Sequence, residues 1–554
     1  MRIKHLSYSS GGGKGLLSHT VGDLLRTAAH KWPKNDALVS HHEKVHWSYA
    51  ELLQRSESFA QGLLSLGLPK HSRVGIYAPN CKEWLVSQMA ASLSDLILVN
   101  INPAYQTVEL EHALNKVGVS ALIMTPGFKQ SNYMELLSKI DPELQNQQKT
   151  TLSLTKLPTL KHIVLIGQER HKCMIPFDEL YTKKFEDYEK ITQNVKFDEE
   201  TNIQFTSGTT GRPKAATLSH FNIVNNGYYI GEVLKYTHHD RVAIPVPLYH
   251  CFGMVIGNLA CIAHGSTMVY TDFGFNPVST IEAIEAEKCT SLYGVPTMFV
   301  AYVREQLKLK KNLKSLRTGV VAGAICVPEL MKQIVDVLGI QQMTNGYGMT
   351  ETAPITFQLK PNADFEKRIS TVGEVHPHVE CKIINEKGEI VERGEIGEIL
   401  TRGYVVMKGY WGDEKATSKA ITKDGWMITE DQGVMDEHGF LRIVGRNKDM
   451  IIRGGENIYP SEVENFLSTH PDIEEIHVFG IPDDFYGEKV GAWIKIKPNR
   501  EVLGQKEIEE YCKGKIAHFK VPKVIKIVEN FPTTVTGKVQ KYKMRAEYEV
   551  SKKV

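Results

Sequence analysis

The chain has 554 residues, of which 42% are hydrophobic and 23% charged. That length is too great for one hydrophobic core, so several domains are expected, and the composition is that of a globular protein. A net charge of +2 gives no reason to expect nucleic acid, no apolar run is long enough for a transmembrane helix, and eight cysteines with no CxxC pair or His/Cys cluster fit free thiols rather than a zinc site.

In chain order, residues 1–22 read as a basic tail, with Arg2, Lys4 and Lys14 preceding the first acid, Asp23. Its charge is that of a mitochondrial presequence, but Gly11-Gly12-Gly13 would break an amphipathic helix, so a disordered tail is expected. Ser48 and Glu51 form a capping box, and Leu52, Leu53, Ser56, Phe59, Ala60, Leu63 and Leu64 follow at helical spacing until Gly67. Strands are expected at 73–78, 96–101, 119–125 and 162–166, and helices at 83–92 and 109–117. Residues 129–161 are polar and show no clear element. Beyond 214 come strands at 242–246, 266–270, 290–293, 318–322 and 341–345, with helices at 278–287 and 328–338. This alternation predicts an α/β fold of parallel layers. Short alternating runs between glycines from 372 to 411 predict a small antiparallel, β-barrel-like subdomain. After a break near Gly445, a capping box at Ser461–Glu464, strands at 476–480, 489–497 and 524–528 and a helix at 506–516 predict a small α+β C-terminal domain.

In open α/β sheets ligands bind at the carboxyl ends of strands, and several loops are expected there. Thr206-Ser207-Gly208-Thr209-Thr210-Gly211-Arg212-Pro213-Lys214 cannot build a core. It is either a plain polar loop or a wrap for a polyphosphate, made of close backbone, hydroxyls and two cations. It is not a Walker A loop, because Gly208 and Gly211 are too close and no Lys-Ser/Thr pair follows. Pro247 to Gly253, Gly323-Ala324 and Asn345 to Gly348 read as further loops at strand ends. The stretch 512–545 carries nine Lys or Arg against one acid, Glu529, and most of that charge reads as a solvated face.

The order Thr-Ser-Gly-Thr-Thr-Gly-x-Pro-Lys resembles the signature of the adenylate-forming superfamily: acyl-CoA synthetases, peptide-synthetase adenylation domains and luciferases. Asn345-Gly346-Tyr347-Gly348-Met349-Thr350-Glu351-Thr352 resembles its second signature. Thr429-Glu430-Asp431, Gly445-Arg446-Asn447-Lys448 and Pro532 to Lys538 resemble three more. The resemblance runs from about 20 to about 545. Through strings such as Leu218 to Asn226, Pro296 to Val300 and Val444 to Pro460 it is closest to the mitochondrial medium-chain acyl-CoA ligase subfamily.

The resemblance implies a large AMP-binding domain over 23–445, a hinge over 446–448 and a small mobile domain over 449–554. It also implies ATP, Mg2+ and coenzyme A as ligands, a fatty acid as substrate, and a mitochondrial matrix location, with the cytoplasm as alternative. Residue by residue, Thr206, Ser207, Gly208, Thr209, Thr210, Gly211 and Lys214 would hold phosphates. Gly323, Ala324, Asn345, Gly346 and Gly348 would frame an adenine stacked on Tyr347. Thr350 would donate to the α-phosphate and Glu351 would bind the metal. Asp431 and Arg446 would hold the ribose. Lys538 would bridge substrate carboxylate and α-phosphate. The small domain would turn about Lys448 and bring Gly454 and Gly455 to the pantetheine arm. His250 would wall the carboxylate site, with Tyr249, Cys251 and Phe252 along the acyl tunnel.

Three positions depart from the family pattern. Ala215 and Asp95 stand where glycine is usual and read as packing changes, whereas Glu430 adds bulk and charge beside the nucleotide. Other readings are an adenylation enzyme that serves a carrier protein, a luciferase-like oxygenase, or a non-catalytic nucleotide or acyl binder. Retention of Lys214, Glu351, Asp431 and Lys538 argues against the last.

Overall fold

The computed structural model describes residues 5–206, 213–323, 326–446, 449–453, 456–483, 486–498, 500, 503–513, 516, 518–533 and 539–551. Two large, mostly parallel sheets carry the N-terminal domain. In one, eight strands follow the order Ile175–Pro176, His162–Leu165, Val119–Met124, Arg73–Tyr77, Ile97–Asn100, Glu200–Thr206, Lys214–Ser219, Gly409–Tyr410. In the other, nine strands run from Glu374–Val375 through Ile355–Gln358, Gln342–Gly348, Thr318–Ala322, Ser291–Gly294, Arg241–Ala243 and Thr267–Tyr270 to Asp36–Ser40 and Val45–Ser48. Ile97–Asn100 and Thr318–Ala322 are buried along their whole length, as central parallel strands must be. The antiparallel subdomain is a five-stranded sheet, Tyr8–Ser10, Val379–Ile384, Gly397–Gly403, Met427–Met435 and Leu441–Arg446. The small C-terminal domain is built on the long hairpin Ile473–Asp483/Gly487–Ile496, with Ile451, Val463, Leu467, Val478, Val490 and Ile508 in its core. No helix among the described residues is long and apolar enough to cross a membrane.

Several local expectations change. The N-terminal segment is not a free tail from residue 5 on: Tyr8–Ser10 adds an antiparallel edge strand to Val379–Ile384. Gly11 then passes so close to the chain that a Cβ there would lie 2.0 Å from the His376 carbonyl oxygen. Thr20 and Asp23 form a capping box that starts the Val21–Lys31 helix, so residue 22 lies inside an element. The polar stretch after 129 contains the helix Tyr133–Ile140, capped by Asn132, with Tyr133, Leu136, Leu137 and Ile140 buried on one face. Ser48 and Glu51 do form their capping box. Ser461 does not cap; it lies inside the helix Pro460–Leu467 and donates to the Val444 carbonyl. Glu464 is equally committed elsewhere, accepting from the Val478 amide at 2.7 Å and from Lys541 at 2.7 Å.

The basic stretch 512–545 is paired rather than merely solvated. Lys520 meets Glu462 at 2.5 Å, Lys523 meets Glu509 at 2.9 Å and Arg545 meets Glu488 at 3.3 Å. Asp95 is not a packing change either. Its backbone takes the left-handed conformation that favours glycine (φ 58°), and its carboxylate receives Lys70 at 3.2 Å and His71 at 3.3 Å. Glu199 shares the same lysine at 3.1 Å. Ala215, by contrast, is a fully buried strand residue opposite Phe205, as a packing role requires.

Candidate active site

The Glu200–Thr206 strand runs parallel to Ile97–Asn100 and antiparallel to Lys214–Ser219, and the pair Thr206/Lys214 closes the hairpin. The Gly/Ser/Thr stretch therefore follows the carboxyl end of a largely buried strand and leads into its antiparallel partner. Its residues Ser207, Gly208, Thr209, Thr210 and Gly211 lie outside the described residues, as do Ala324, Lys448, Gly454, Gly455 and Lys538.

Lys214 lies 4.9 Å from the centroid of the Tyr410 ring. The Tyr410 hydroxyl donates to Glu351 Oε1 at 2.9 Å. Burial, then the Glu351 charge, pushes the Tyr410 phenol well above its ordinary range, so it remains a donor. Tyr410 thus joins the loop lysine to the expected metal carboxylate. Glu351 is buried, and among the described residues its second oxygen accepts no hydrogen bond. A buried carboxylate with one oxygen fixed and one open is a donor set that fits Mg2+.

Gly346 and Gly348 flank Tyr347, and at Gly348 a Cβ would sit 1.8 Å from the Pro354 carbonyl oxygen, so no side chain fits. The Tyr347 hydroxyl donates to Asp431 Oδ2 at 2.8 Å. The two residues expected to hold adenine and ribose are therefore locked to each other, and the Asp431 amide is fixed in turn by Thr429 Oγ1 at 3.1 Å. Asn345 spends its amide hydrogens on the carbonyls of Arg368 and Thr371, at 2.6 and 3.2 Å. Among the described residues its Oδ1 is buried without a partner, an acceptor suited to an exocyclic amine. Arg446 pairs with Asp431 across adjacent strands. Gly323 has φ +84°, at the end of Thr318–Ala322.

On the acyl side, Pro247 to His250 form the turn, but Cys251 is already helical and Phe252 and Gly253 belong to a π-helix, Phe252–Leu259. His250 Nδ1 accepts from the Phe252 amide at 3.2 Å, which keeps the proton of the neutral ring on Nε2. The Cys251 thiol donates to Gln204 Oε1 at 3.0 Å, and burial pushes its pKa up to about 12, so it is no nucleophile. Gln204 continues into a buried amide ladder: Gln204 to Asn202 at 2.9 Å, Asn202 to Asn100 at 2.9 Å, and Asn100 to the Tyr249 carbonyl at 2.9 Å. Sequence reasoning missed this ladder and Tyr410. The signal for the ladder was Asn202 and Gln204 on alternate positions of an apolar strand, a buried polar face.

Glu430 occupies the β-bulge beside Asp431 with φ 59°, the left-handed conformation for which glycine is the usual residue. Its side chain is exposed, so it does not fill the nucleotide site as bulk. Its charge is felt: burial, then Glu430 and Asp431, raises the pKa of Glu398. Glu430→Gly is expected to raise unfolding free energy by about 1 kcal/mol and to lower KM for ATP several-fold by removing one of three crowded carboxylates. Urea denaturation and initial rates check both, and a less stable variant contradicts the strain argument.

Comparison with known proteins places this geometry. The family described as AMP-binding enzyme matches residues 25–411, and the AMP-binding enzyme C-terminal domain matches residues 462–538. The chain is 41% identical over 558 residues to the mitochondrial medium-chain acyl-CoA ligase ACSF2 of Homo sapiens, covering 99% of this chain and 90% of that one. It is also 41% identical over 536 residues to the putative acyl-CoA synthetase YngI of Bacillus subtilis, covering 96% and 97%. Among solved structures, ATP-bound MatB from Rhodopseudomonas palustris superposes with a TM-score of 0.81 at 25% identity, covering 96% and 99%. The anthranilate CoA ligase AuaEII with anthranoyl-AMP superposes with a TM-score of 0.86 at 24% identity, covering 97% and 99%, and shows the shared fold.

Proposed function

Since the chain belongs to the AMP-binding, adenylate-forming enzymes and is an AMP-forming acid–thiol ligase that makes acyl-CoA, we propose that its acid is a medium-chain fatty acid, activated with Mg2+ and transferred to coenzyme A. The observation that carries this reading is near-full-length identity of 41% to a ligase of that name. AuaEII, a ligase for an aromatic acid, shares only the fold.

In the first half-reaction a carboxylate oxygen attacks the α-phosphorus of ATP, the bond to the bridging oxygen breaks, and pyrophosphate leaves. Thr206 and Lys214 hold the loop over the phosphates. Tyr347 stacks on the adenine, Asn345 Oδ1 accepts from its amine, and Asp431 and Arg446 take the ribose. Thr350 donates to the α-phosphate. When Mg2+ is bound at Glu351 it neutralises charge on the phosphates. Lys538 stabilises the charge that develops on the transferred group. In the second half-reaction the small domain, 449–554, turns about 446–448. It withdraws Lys538 and presents Gly454 and Gly455. The CoA thiolate then attacks the acyl carbonyl carbon, and the bond to AMP breaks. The names of the vertebrate relatives support a mitochondrial setting, which localisation of a tagged chain in cells tests against the cytoplasm.

The test is pyrophosphate release from ATP with straight-chain acids of four to eighteen carbons, with and without CoA. Turnover that needs both acid and CoA and peaks at medium chains is the expected result. A peak elsewhere removes the medium-chain assignment, and release indifferent to CoA points to a carrier-protein acceptor.

A further inference from the structure

The buried amide ladder closes on itself. Asn202 and Gln204 alternate along Glu200–Thr206 and so face one side of it, and Asn100 stands opposite Gln204 in register on Ile97–Asn100. The direction of the ladder follows from two backbone carbonyls, which can only accept. Asn100 Nδ2 donates to the Tyr249 carbonyl at 2.9 Å, and Asn202 Nδ2 donates to the Leu98 carbonyl at 3.1 Å. With its nitrogen so fixed, Asn100 offers Oδ1 to Asn202 at 2.9 Å, and Asn202 offers Oδ1 to Gln204 Nε2 at 2.9 Å. Gln204 is left with Oε1 toward the Cys251 sulfur, 3.0 Å away, so that sulfur must donate a proton. The remaining amide hydrogens of Asn100 and Gln204 go to Met254 Sδ, at 3.5 and 3.9 Å. Every link donates the same way round, an arrangement in which each bond polarises the next. The first donor, Cys251, and the last acceptor, Tyr249, are the two chain neighbours of His250. A ring of hydrogen bonds thus grips this histidine from both sides, and the four side chains that form it are buried.

We propose that Asn100, Asn202 and Gln204 are positioning residues: the ring they close with Cys251 sets the pose of His250 and ties it to the strand that ends at Thr206. The proposal rests on the reading above in taking His250 as a wall of the carboxylate site. Its physical basis is register. Attack needs the carboxylate oxygen held close to the α-phosphorus and in line with it, and a small misplacement costs rate steeply. The phosphate side is carried by Glu200–Thr206 and the carboxylate side by the turn at 247–250, far apart in the chain. The ring hydrogen-bonds one to the other. Because it is cyclic, a break at any link leaves a buried donor or acceptor unpaired and removes the polarisation from the links that remain. Two breaks should therefore cost much less than two independent losses.

The experiment uses the full-length enzyme and the variants His250→Ala, Asn100→Leu, Cys251→Ala, Cys251→Ser and the double variant Asn100→Leu/Cys251→Ala. Acid-dependent pyrophosphate release gives kcat and KM for the acid, and calorimetry gives ATP affinity. The His250 ring is followed by NMR of protein carrying isotope-labelled histidine, its signals being those that vanish in His250→Ala. Asn100→Leu and Cys251→Ala should each displace these signals, raise KM for the acid and lower kcat/KM about ten- to a hundredfold, with ATP affinity unchanged. Cys251→Ser restores a donor and should regain most of what Cys251→Ala loses. The double variant should fall well short of the product of the two single losses. A purely structural role would lower kcat alone and leave the acid KM and the His250 signals in place, and that result overturns the proposal. So does a double variant in which the losses multiply. If Asn100→Leu does not fold, equal kcat/KM in Cys251→Ala and Cys251→Ser overturns it. Displaced His250 signals, with an acid KM that His250→Ala itself leaves unchanged, uphold the positioning and overturn the place of His250 in the acid site.

Discussion

Lys538→Ala is expected to lower acyl-adenylate formation by about a hundred- to a thousandfold, the usual effect of removing one preorganised charge from a transition state. Thioester formation from supplied acyl-adenylate should stay within a few-fold of wild type. On the proposed mechanism the two effects separate, because the domain that carries Lys538 turns between the half-reactions. The described residues on either side of it form a base: Thr533 pairs with Val539, and the Gln540 amide donates to the Pro532 carbonyl at 2.7 Å. Phe531 and Val539 pack on the cluster of Phe479, Ile481 and Trp493 in the long hairpin. Removing the lysine leaves that base intact, so the domain can still turn and present its other face. Pyrophosphate–ATP exchange reads the first half-reaction, and chromatography of acyl-CoA made from acyl-adenylate reads the second. Equal loss in both contradicts the two-face mechanism.

Glu351→Gln carries the second large effect, a loss of adenylation of about a hundredfold with a raised Mg2+ requirement. Glutamine keeps the size of the side chain and an oxygen to accept from Tyr410, so the fold around Thr350 and Met407 should hold. The open carboxylate oxygen, with its charge, is what disappears. Tyr410→Phe provides the graded comparison. It keeps the ring over which Lys214 sits but removes the hydrogen bond to the carboxylate, which should cost about tenfold. Titrating Mg2+ against rate, and measuring ATP affinity with and without Mg2+ by calorimetry, separates a metal ligand from a packing residue. An unchanged Mg2+ dependence in Glu351→Gln contradicts the assignment.

The fold was legible where burial leaves no choice. Strands such as Thr318–Ala322 and helices such as Pro328–Leu338 carry apolar patterns that only one structure satisfies, and they fall where expected. The pattern faded where polar residues do structural work out of sequence range. The helix Tyr133–Ile140 hides its apolar face among polar neighbours. Ser461 and Glu464 have the spacing of a capping box, yet tertiary partners, Val444 and Lys541, claim both side chains. At the site, motif order singled out Tyr347 and Asp431 as candidates, but not that one holds the other. The role of Tyr410 was invisible because its partners, Glu351 and Lys214, lie 59 and 196 positions away in the chain (410 − 351 and 410 − 214). Glu430 was readable as a departure from glycine. Its meaning, a strained bulge with an exposed charge, needed the backbone angle.

The most direct test of the central claim follows an oxygen atom. A fatty acid labelled with heavy oxygen in its carboxylate is turned over with ATP and CoA, and the products are separated and weighed. A path through acyl-adenylate forms a bond from carboxylate oxygen to the α-phosphorus and later breaks the bond from that oxygen to the acyl carbon. One labelled oxygen should therefore appear in each AMP and none in pyrophosphate. Label in pyrophosphate or inorganic phosphate, or AMP without label, would contradict the mechanism.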